Sequence, residues 1–332
     1  MELQVVKPRN RVVDLVETKV THKVNKRDTS PFIEANTKEV SLSHLKRDCT
    51  IPVFSKTNDV TISHHEFIES MYRSVSEVFS DQRISHPDIR VSHIVKGRIP
   101  DAISKPVELL LPNEKTLFYE RMAFSIDIPT ISHRVGDNLL TLGVGGVRAY
   151  NSENLYSKKT IEKFKIFIGF KNQVCTNLCI STDGFLAELR VSSIEELQQR
   201  IIQLFTSYDA EKHLNQMKSL QEQYLTEKQF AQILGKARLY NHLPKSKKLE
   251  LPQFTFNDGQ LNSVAKDYYE DESFCRDENG NINLLNVYNL FTGAAKSTYI
   301  DSFLERNVNA HTFTNSVSEA LKGNSGYHWF LS

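Results

Sequence analysis

The sequence predicts an α+β protein with a central antiparallel sheet and a helical C-terminal region. Between residues 116 and 192, short segments rich in aromatic and β-branched residues partly alternate with polar ones, which is typical of strands. No segment long enough for a crossover helix separates these strands, so we expect neighbours to run antiparallel. After Ser193 the apolar residues recur at helical spacing, which predicts helices that pack against the sheet.

The composition is that of a folded protein. Of the 332 residues, 39% are hydrophobic, which is enough for a sizeable core. The 41 Lys and Arg residues against 40 Asp and Glu give a net charge of +1, so the chain as a whole has no electrostatic preference for nucleic acid or membrane. No segment approaches the ~18 apolar residues of a membrane helix, and the N-terminus has no apolar core of a secretory signal. We therefore expect a soluble, cytoplasmic protein with no membrane contact.

Local signals predict the first elements. Phe67, Met71 and Val75 follow a helical period after Ser63, which is the expected N-cap. A short strand is expected at 89–95. The pair Gly136-Asp137 is typical of a hairpin connection between two strands.

Two capping boxes predict helix starts in the C-terminal half. They are Ser193-x-x-Glu196 and Thr226-x-x-Gln229, and Pro244 is expected to end the second helix. Three further helices are expected near 259–269, 284–292 and 315–321. The resulting organisation is an N-terminal arm with short strands over 1–60, a mainly antiparallel sheet with flanking helices over 61–207, and a helical region over 208–332. This last region is either separate or one continuous domain with the sheet.

Two glycine motifs imitate phosphate-binding loops. The segment Gly143-Val144-Gly145-Gly146 continues as a strand, and no helix opens after it, so we expect a bulge or a close backbone approach within the sheet. The segment from Gly293 to Lys296 follows a helix and has alanine directly before the lysine. It predicts a helix C-terminus with Gly293 as the cap.

No motif identifies a metal site. His64 and His65 are adjacent, and neighbouring helical residues point about 100° apart, so one metal cannot easily take both. A loop beginning at Asp277 has Ile282 at its sixth position and Tyr288 at its twelfth, where a calcium-binding loop requires glycine and glutamate. The acidic run over 267–278 is either a solvated face or the metal-binding part of a nuclease. Cys175 and Cys179 are either a redox or metal pair, or two small buried residues.

Two basic stretches carry few acids. In the first, Lys163 and Lys165 share one strand face opposite Phe164 and Ile166, which predicts basic charge on the exposed side of the sheet. The second stretch runs from Lys236 to Lys248 and contains no acid. Clusters of this kind can neutralise phosphates, but they are equally compatible with an ordinary solvated surface.

The chain resembles an uncharacterised bacterial family known as a domain of unknown function. The resemblance rests on segments 31–69, 86–100, 114–131, 145–159, 164–184 and 286–313. The piece VRAYNSENLY with FIGFKNQVCTNLCIS is more distantly similar to a "phage/plasmid-like" family at Asn151-Ser152 and Cys175-Thr176-Asn177, although Leu178 replaces the usual glycine. This resemblance implies carriage on mobile genetic elements, and it implies no catalytic residue.

These observations predict a mobile-element accessory protein that binds or anneals single-stranded nucleic acid without catalysis. The expected partner is DNA, with single-stranded DNA favoured. The alternative is a protein-interaction module, such as an anti-defence or replication partner. A nuclease that uses the acidic run ranks below both. We predict no catalytic residue, metal or cofactor. The residues expected to contact nucleic acid are Arg148, Tyr150, Lys158, Lys159, Lys163, Lys165, Lys171, Lys245, Lys247 and Lys248.

Overall fold

A computed structural model describes residues 30–49, 61–150 and 162–332. Its strands are β1 (Lys38–Glu39), β2 (Asp88–Arg98), β3 (Lys115–Val135), β4 (Asn138–Ala149), β5 (Glu162–Asn172), β6 (Leu178–Cys179), β7 (Phe185–Val191), β8 (Tyr224–Leu225) and β9 (Ile282–Asn283). Its helices are α1 (Leu42–Arg47), α2 (His64–Val78), α3 (Ile194–Ser207), α4 (Ala210–Gln221), α5 (Glu227–His242), α6 (Lys245–Lys248), α7 (Asp258–Glu270), α8 (Leu284–Ala295) and α9 (Ile300–Leu321).

The main sheet is antiparallel throughout its described strands. Its order is β1-β2-β3-β4-β5-β6, and β7 also pairs with β5, next to the segment that β6 covers. The β3–β4 hairpin closes at the pair Val135 and Asn138, with Gly136 at a φ of +58°. This conformation favours glycine, because it is strained for residues that carry a side chain. The predicted α+β class and the predicted hairpin are both confirmed.

The glycines of β4 let other groups approach its backbone closely. A Cβ at Gly145 would lie 2.1 Å from the carbonyl oxygen of Phe124, and one at Gly146 would lie 2.5 Å from the ring of Phe67. The strand runs through these residues without an interruption of its register with β5. The predicted close backbone approach is therefore confirmed.

Apolar side chains are buried on both faces of the sheet. Phe164 and Ile166 of β5 belong to the larger core cluster, which also includes residues of α2 to α5 and of α7 to α9. Phe167, on the opposite face of β5, packs in a second cluster with Phe303 of α9 and with Phe32 from the N-terminal segment. The expectation that the lysine-bearing face of β5 is open to solvent was wrong, because α9 covers much of it.

Helix caps form where the sequence predicts them. Ser63 and Glu66 make a reciprocal capping box at α2, and Thr226 and Gln229 make one at α5. At α3 the Ser193 side chain accepts from the Glu196 backbone N–H, but the Glu196 carboxylate bonds to Ser192 instead. These contacts satisfy N–H groups that the first helical turn leaves without partners.

The C-terminal helices are longer than predicted. Helix α9 begins at Ile300, fifteen residues before the predicted start near 315. Its middle turns bury Asn307 and His311, which break the apolar pattern that sequence reading relies on. Helix α8 continues through Gly293, and Lys296 is its C-cap, so the prediction of Gly293 as the cap was wrong.

Candidate nucleic-acid interface

The residues predicted to contact nucleic acid fall into three groups. Lys158 and Lys159 lie outside the described residues. Arg148, Tyr150 and Lys171 are buried. The remaining five lie nearer the surface, Lys163 and Lys165 beside α9 and Lys245, Lys247 and Lys248 on α6.

Arg148 takes part in an internal ion pair. Its side chain is 0% exposed, and the guanidinium donates to the Glu162 carboxylate and to the backbone carbonyl oxygen of Ile62. It also lies 4.4 Å from the ring centroid of Phe164 and 4.7 Å from that of Tyr150. Burial raises the pKa of Glu162, while the charge of Arg148 opposes that rise. In this structure neither Arg148 nor Tyr150 reaches a surface where a phosphate or base would lie.

His64 belongs to the same buried cluster. Its Nε2 lies 2.8 Å from the Tyr119 carbonyl oxygen, and its ring stacks on Tyr150 at 4.4 Å. Burial, aided by the nearby Arg148 charge, lowers the pKa of His64 to about 3. The first histidine of α2 is therefore a neutral residue of the core.

The sheet lysines are held by carboxylates of this chain. Lys165 donates from Nζ to Glu305 and to the Asp301 carbonyl oxygen, both on α9. The Lys171 ammonium lies 3.1 Å from Asp127 Oδ2, and both side chains are largely buried. Lys163 is half-buried and lines a cleft of about 160 Å³. Because carboxylates already neutralise Lys165 and Lys171, these two lysines attract a phosphate less strongly.

The second basic stretch lies on two consecutive helices, α5 and α6, and is named here the α5–α6 surface. It comprises Lys236, Arg238, Lys245, Lys247 and Lys248. Pro244 separates the two helices, because its ring cannot continue the hydrogen-bonded helix. Lys236 and Lys245 form no ion pair with any residue that the structure describes. Lys247 pairs with Glu250 at 3.6 Å, and both side chains are more than 60% exposed, so this pair contributes little.

Aromatic side chains lie beneath these lysines. The Lys236 ammonium is 5.0 Å from the ring centroid of the half-buried Trp329. The Lys248 ammonium is 5.3 Å from the ring of the buried Tyr240, and the Tyr240 and Trp329 rings are 6.2 Å apart. Sequence reasoning found these lysines from the lack of acids between them. It missed Trp329, which is distant in sequence and reaches α5 only through the C-terminal turn.

The acidic run spans the end of α7 and the turn that follows it. Asp277 Oδ1 accepts from the backbone N–H groups of Asn279 and Asn281, and Gly280 has a φ of +81°. Among residues 30–49, 61–150 and 162–332, no group of three or more His, Cys, Asp or Glu side chains could hold a metal ion. The carboxylate of Asp277 therefore serves the turn itself.

The segment Cys175-Thr176-Asn177 forms the connection between β5 and β6. Thr176 has a φ of +60°, and Asn177 donates from Nδ2 to the carbonyl oxygen of Asn289 on α8 at 2.9 Å. Cys175 lies in the turn and Cys179 in β6, and both are free thiols. Burial raises the pKa of Cys175 to about 11 and that of Cys179 to about 12. The pair is therefore held as thiols, and the turn has a clear packing role.

These elements define an α+β protein with a curled antiparallel sheet and a C-terminal helical layer, in which no described helix is long and apolar enough to cross a membrane. The chain belongs to the family described as "Domain of unknown function, B. Theta Gene description (DUF3871)", whose model matches residues 13–331. No curated protein and no solved structure matches the chain significantly.

Proposed function

We propose that this protein binds single-stranded nucleic acid through the α5–α6 surface, without catalysis. The observation that supports it is the concentration of basic residues on two consecutive helices, with the ring of Trp329 against one of them, Lys236. The basic residues are Lys236, Arg238, Lys245, Lys247 and Lys248. Exposed lysines bind phosphates by releasing the counterions that surround nucleic acid. A partly exposed aromatic ring adds a face on which a base stacks.

The sheet is a less favourable nucleic-acid interface than the α5–α6 surface. Lys165 and Lys171 already face carboxylates, and Arg148 is buried, so a phosphate would meet fewer available cations there than on α6. The net charge of +1 leaves no general attraction, and binding depends on this local cluster.

The test is the fluorescence anisotropy of a labelled single strand and of the matching duplex, titrated with the full chain at two salt concentrations. Each lysine that contacts a phosphate of a single strand contributes roughly 0.7 to the slope of log affinity against log salt. The triple variant K245E/K247E/K248E is expected to bind more weakly and to lose about 2 from this slope. The labelled strand and its complement also report whether bound strands anneal faster.

The matched control is the triple variant K46E/K266E/K322E, which makes the same charge change at exposed lysines elsewhere. It is expected to retain most of the affinity. Equal losses in the two triple variants would reject the α5–α6 surface, and no binding of the wild type at low salt would reject nucleic acid as the partner.

Carriage on a phage, plasmid or conjugative element accompanies this proposal. It rests on the distant resemblance at Asn151-Ser152 and Cys175-Thr176-Asn177, and it stays a prediction of the sequence. Sequencing the neighbourhood of the coding region for integration, conjugation or phage structural genes tests it directly.

A further inference from the structure

The connection between β2 and β3 carries aliphatic side chains on its outside. Residues 93–115 comprise the outer half of β2 and a series of short turns. This segment is named here the arm, and it is distinct from the N-terminal segment over 1–60. The side chains that are exposed are Ile94 (45%), Val95 (37%), Ile103 (70%), Val107 (62%), Leu109 (67%) and Leu111 (55%). Exposed apolar residues scattered singly are normal, whereas a concentration of them is typical of an interaction site.

Three charged side chains make bonds within the arm, while its other charged residues are exposed. Arg98 donates to the carbonyl oxygens of Ile103 and Lys105, and Lys105 pairs with the largely buried Glu114. Glu114 also accepts from the Leu111 backbone N–H at 2.9 Å.

Local features restrict the conformations that the arm adopts. Three prolines at 100, 106 and 112 restrict its backbone, and Ala102 is fully buried within it. An interface that is already ordered loses little conformational entropy when it docks.

Among the described strands, only the short β1 pairs with the edge of the sheet beside the arm. Strand β1 pairs only with Arg90 and Val91 of β2, and no other described strand lies on that side of β2. The backbone of β2 beyond Val91 therefore presents N–H and C=O groups along an edge, which is a ready template for another chain.

The charges of the arm favour a second copy as the occupant. Four cations, Lys96, Arg98, Lys105 and Lys115, stand against three anions, Asp101, Glu108 and Glu114. A nearly balanced mixture can complement itself across a two-fold axis, whereas nucleic acid or an anionic lipid surface selects a single sign. Homodimer interfaces are also more apolar than other interfaces.

A second copy also needs only one apolar patch. The other large hydrophobic residues exposed within the described part of the chain are Leu139, Val174, Tyr224, Leu239, Leu249, Tyr269, Tyr299 and Tyr327. The arm places four exposed aliphatic side chains within nine residues, between Ile103 and Leu111. The eight residues just named include no such concentration. A contact between identical patches requires no second surface. We propose that two copies of the chain associate arm to arm about a two-fold axis.

The test is the mass of the full chain in solution, measured by light scattering after size exclusion from low to high micromolar loading. The expected mass approaches twice the chain mass of 38.1 kDa as the concentration rises. The double variant V107E/L109E is expected to remain at the single-chain mass at every loading, because each glutamate would have to be desolvated in the interface. Its circular dichroism melt establishes that it is folded.

The control is the double variant L139E/V174E, which changes two exposed apolar residues away from the arm and is expected to dimerise like the wild type. A wild type that stays at the single-chain mass throughout would overturn the proposal, as would a dimer that survives in V107E/L109E. A single-chain wild type that sediments with phosphatidylcholine and phosphatidylglycerol vesicles, and loses this binding in V107E/L109E, would replace the second copy with a lipid surface.

Discussion

His213 and His311 lie edge to face in the protein interior, with their ring centroids 4.9 Å apart. His213 extends from α4 and His311 from α9, and they are 1% and 4% exposed. The Tyr208 hydroxyl lies 2.7 Å from Nδ1 of His213. Burial lowers the pKa of His311 to about 4 and also lowers the pKa of His213, an effect that the neighbouring His311 reinforces. Both rings are therefore neutral at pH 7.

This pair predicts a loss of stability in mild acid. The unfolded chain protonates its histidines near pH 6.5, whereas folded His311 resists protonation down to about pH 4. The stability contribution is therefore complete above pH 6.5 and is lost as the pH falls through this window. For His311 alone the loss is about 2 kcal/mol between pH 7 and pH 5.

Urea unfolding at these two pH values measures the effect. The variant His311→Gln is expected to lose less stability on acidification than the wild type, whatever its stability at neutral pH. The exposed His86, changed to Gln, is the control and should keep the wild-type pH dependence. An unchanged pH dependence in His311→Gln would show that other groups cause the acid sensitivity.

The buried ion pair predicts a large effect of removing one charge. In Glu162→Gln the guanidinium of Arg148 loses its carboxylate while remaining 0% exposed. The expected destabilisation is about 3 kcal/mol or more. Glu188→Gln is the control, because its pair with Arg190 is more than half exposed and is expected to change stability by less than about 1 kcal/mol. Urea unfolding at pH 7 compares the two, and equal effects would contradict the structural role of Arg148.

The substitution of glycine by alanine is expected to have opposite effects on stability in β4 and in α5. Gly145→Ala would put a methyl group 2.1 Å from the Phe124 carbonyl oxygen, and the backbone of two strands must separate to accept it. The expected loss is about 3 kcal/mol. Gly235→Ala in α5 meets nothing within 4 Å and is expected to stabilise the protein by about 0.5–1 kcal/mol. Thermal melts test both, and a neutral Gly145→Ala would contradict the register of β3 and β4.

The cysteines predict slow chemistry in the native protein. The thiolate is the reactive form, and burial raises the pKa of Cys49 and Cys175 to about 11 and that of Cys179 to about 12. Labelling with iodoacetamide at pH 8, read by peptide mass, should leave Cys179 unmodified and modify Cys175 slowly. Urea should make all four cysteines react rapidly. Fast native labelling of both Cys175 and Cys179 would favour the redox pair that the sequence also allowed.

The helix starts at Ser63 and Thr226 were predictable because a capping box is complete within four residues. The β3–β4 hairpin was predictable for the same reason, since Gly136 supplies the required backbone conformation locally. The start of α9 was not, because Asn307 and His311 are polar in sequence and are buried only by packing against the sheet and other helices. The lysines of the α5–α6 surface were found from the lack of acids between them, whereas Trp329, which lies against Lys236, was not found.

The sequence by itself determined the α+β class, the antiparallel sheet, several helix starts and the basic stretch that becomes the α5–α6 surface, because each depends on residues close together in the chain. Only the tertiary structure decided that Arg148 is buried against Glu162, that Lys165 is paired with Glu305, and that the aliphatic residues of the arm face outward. These are contacts between distant segments. Charge and hydropathy do not specify which partner a side chain meets, and it is the partner that decides whether a lysine is available to a ligand or an aliphatic residue belongs to the core.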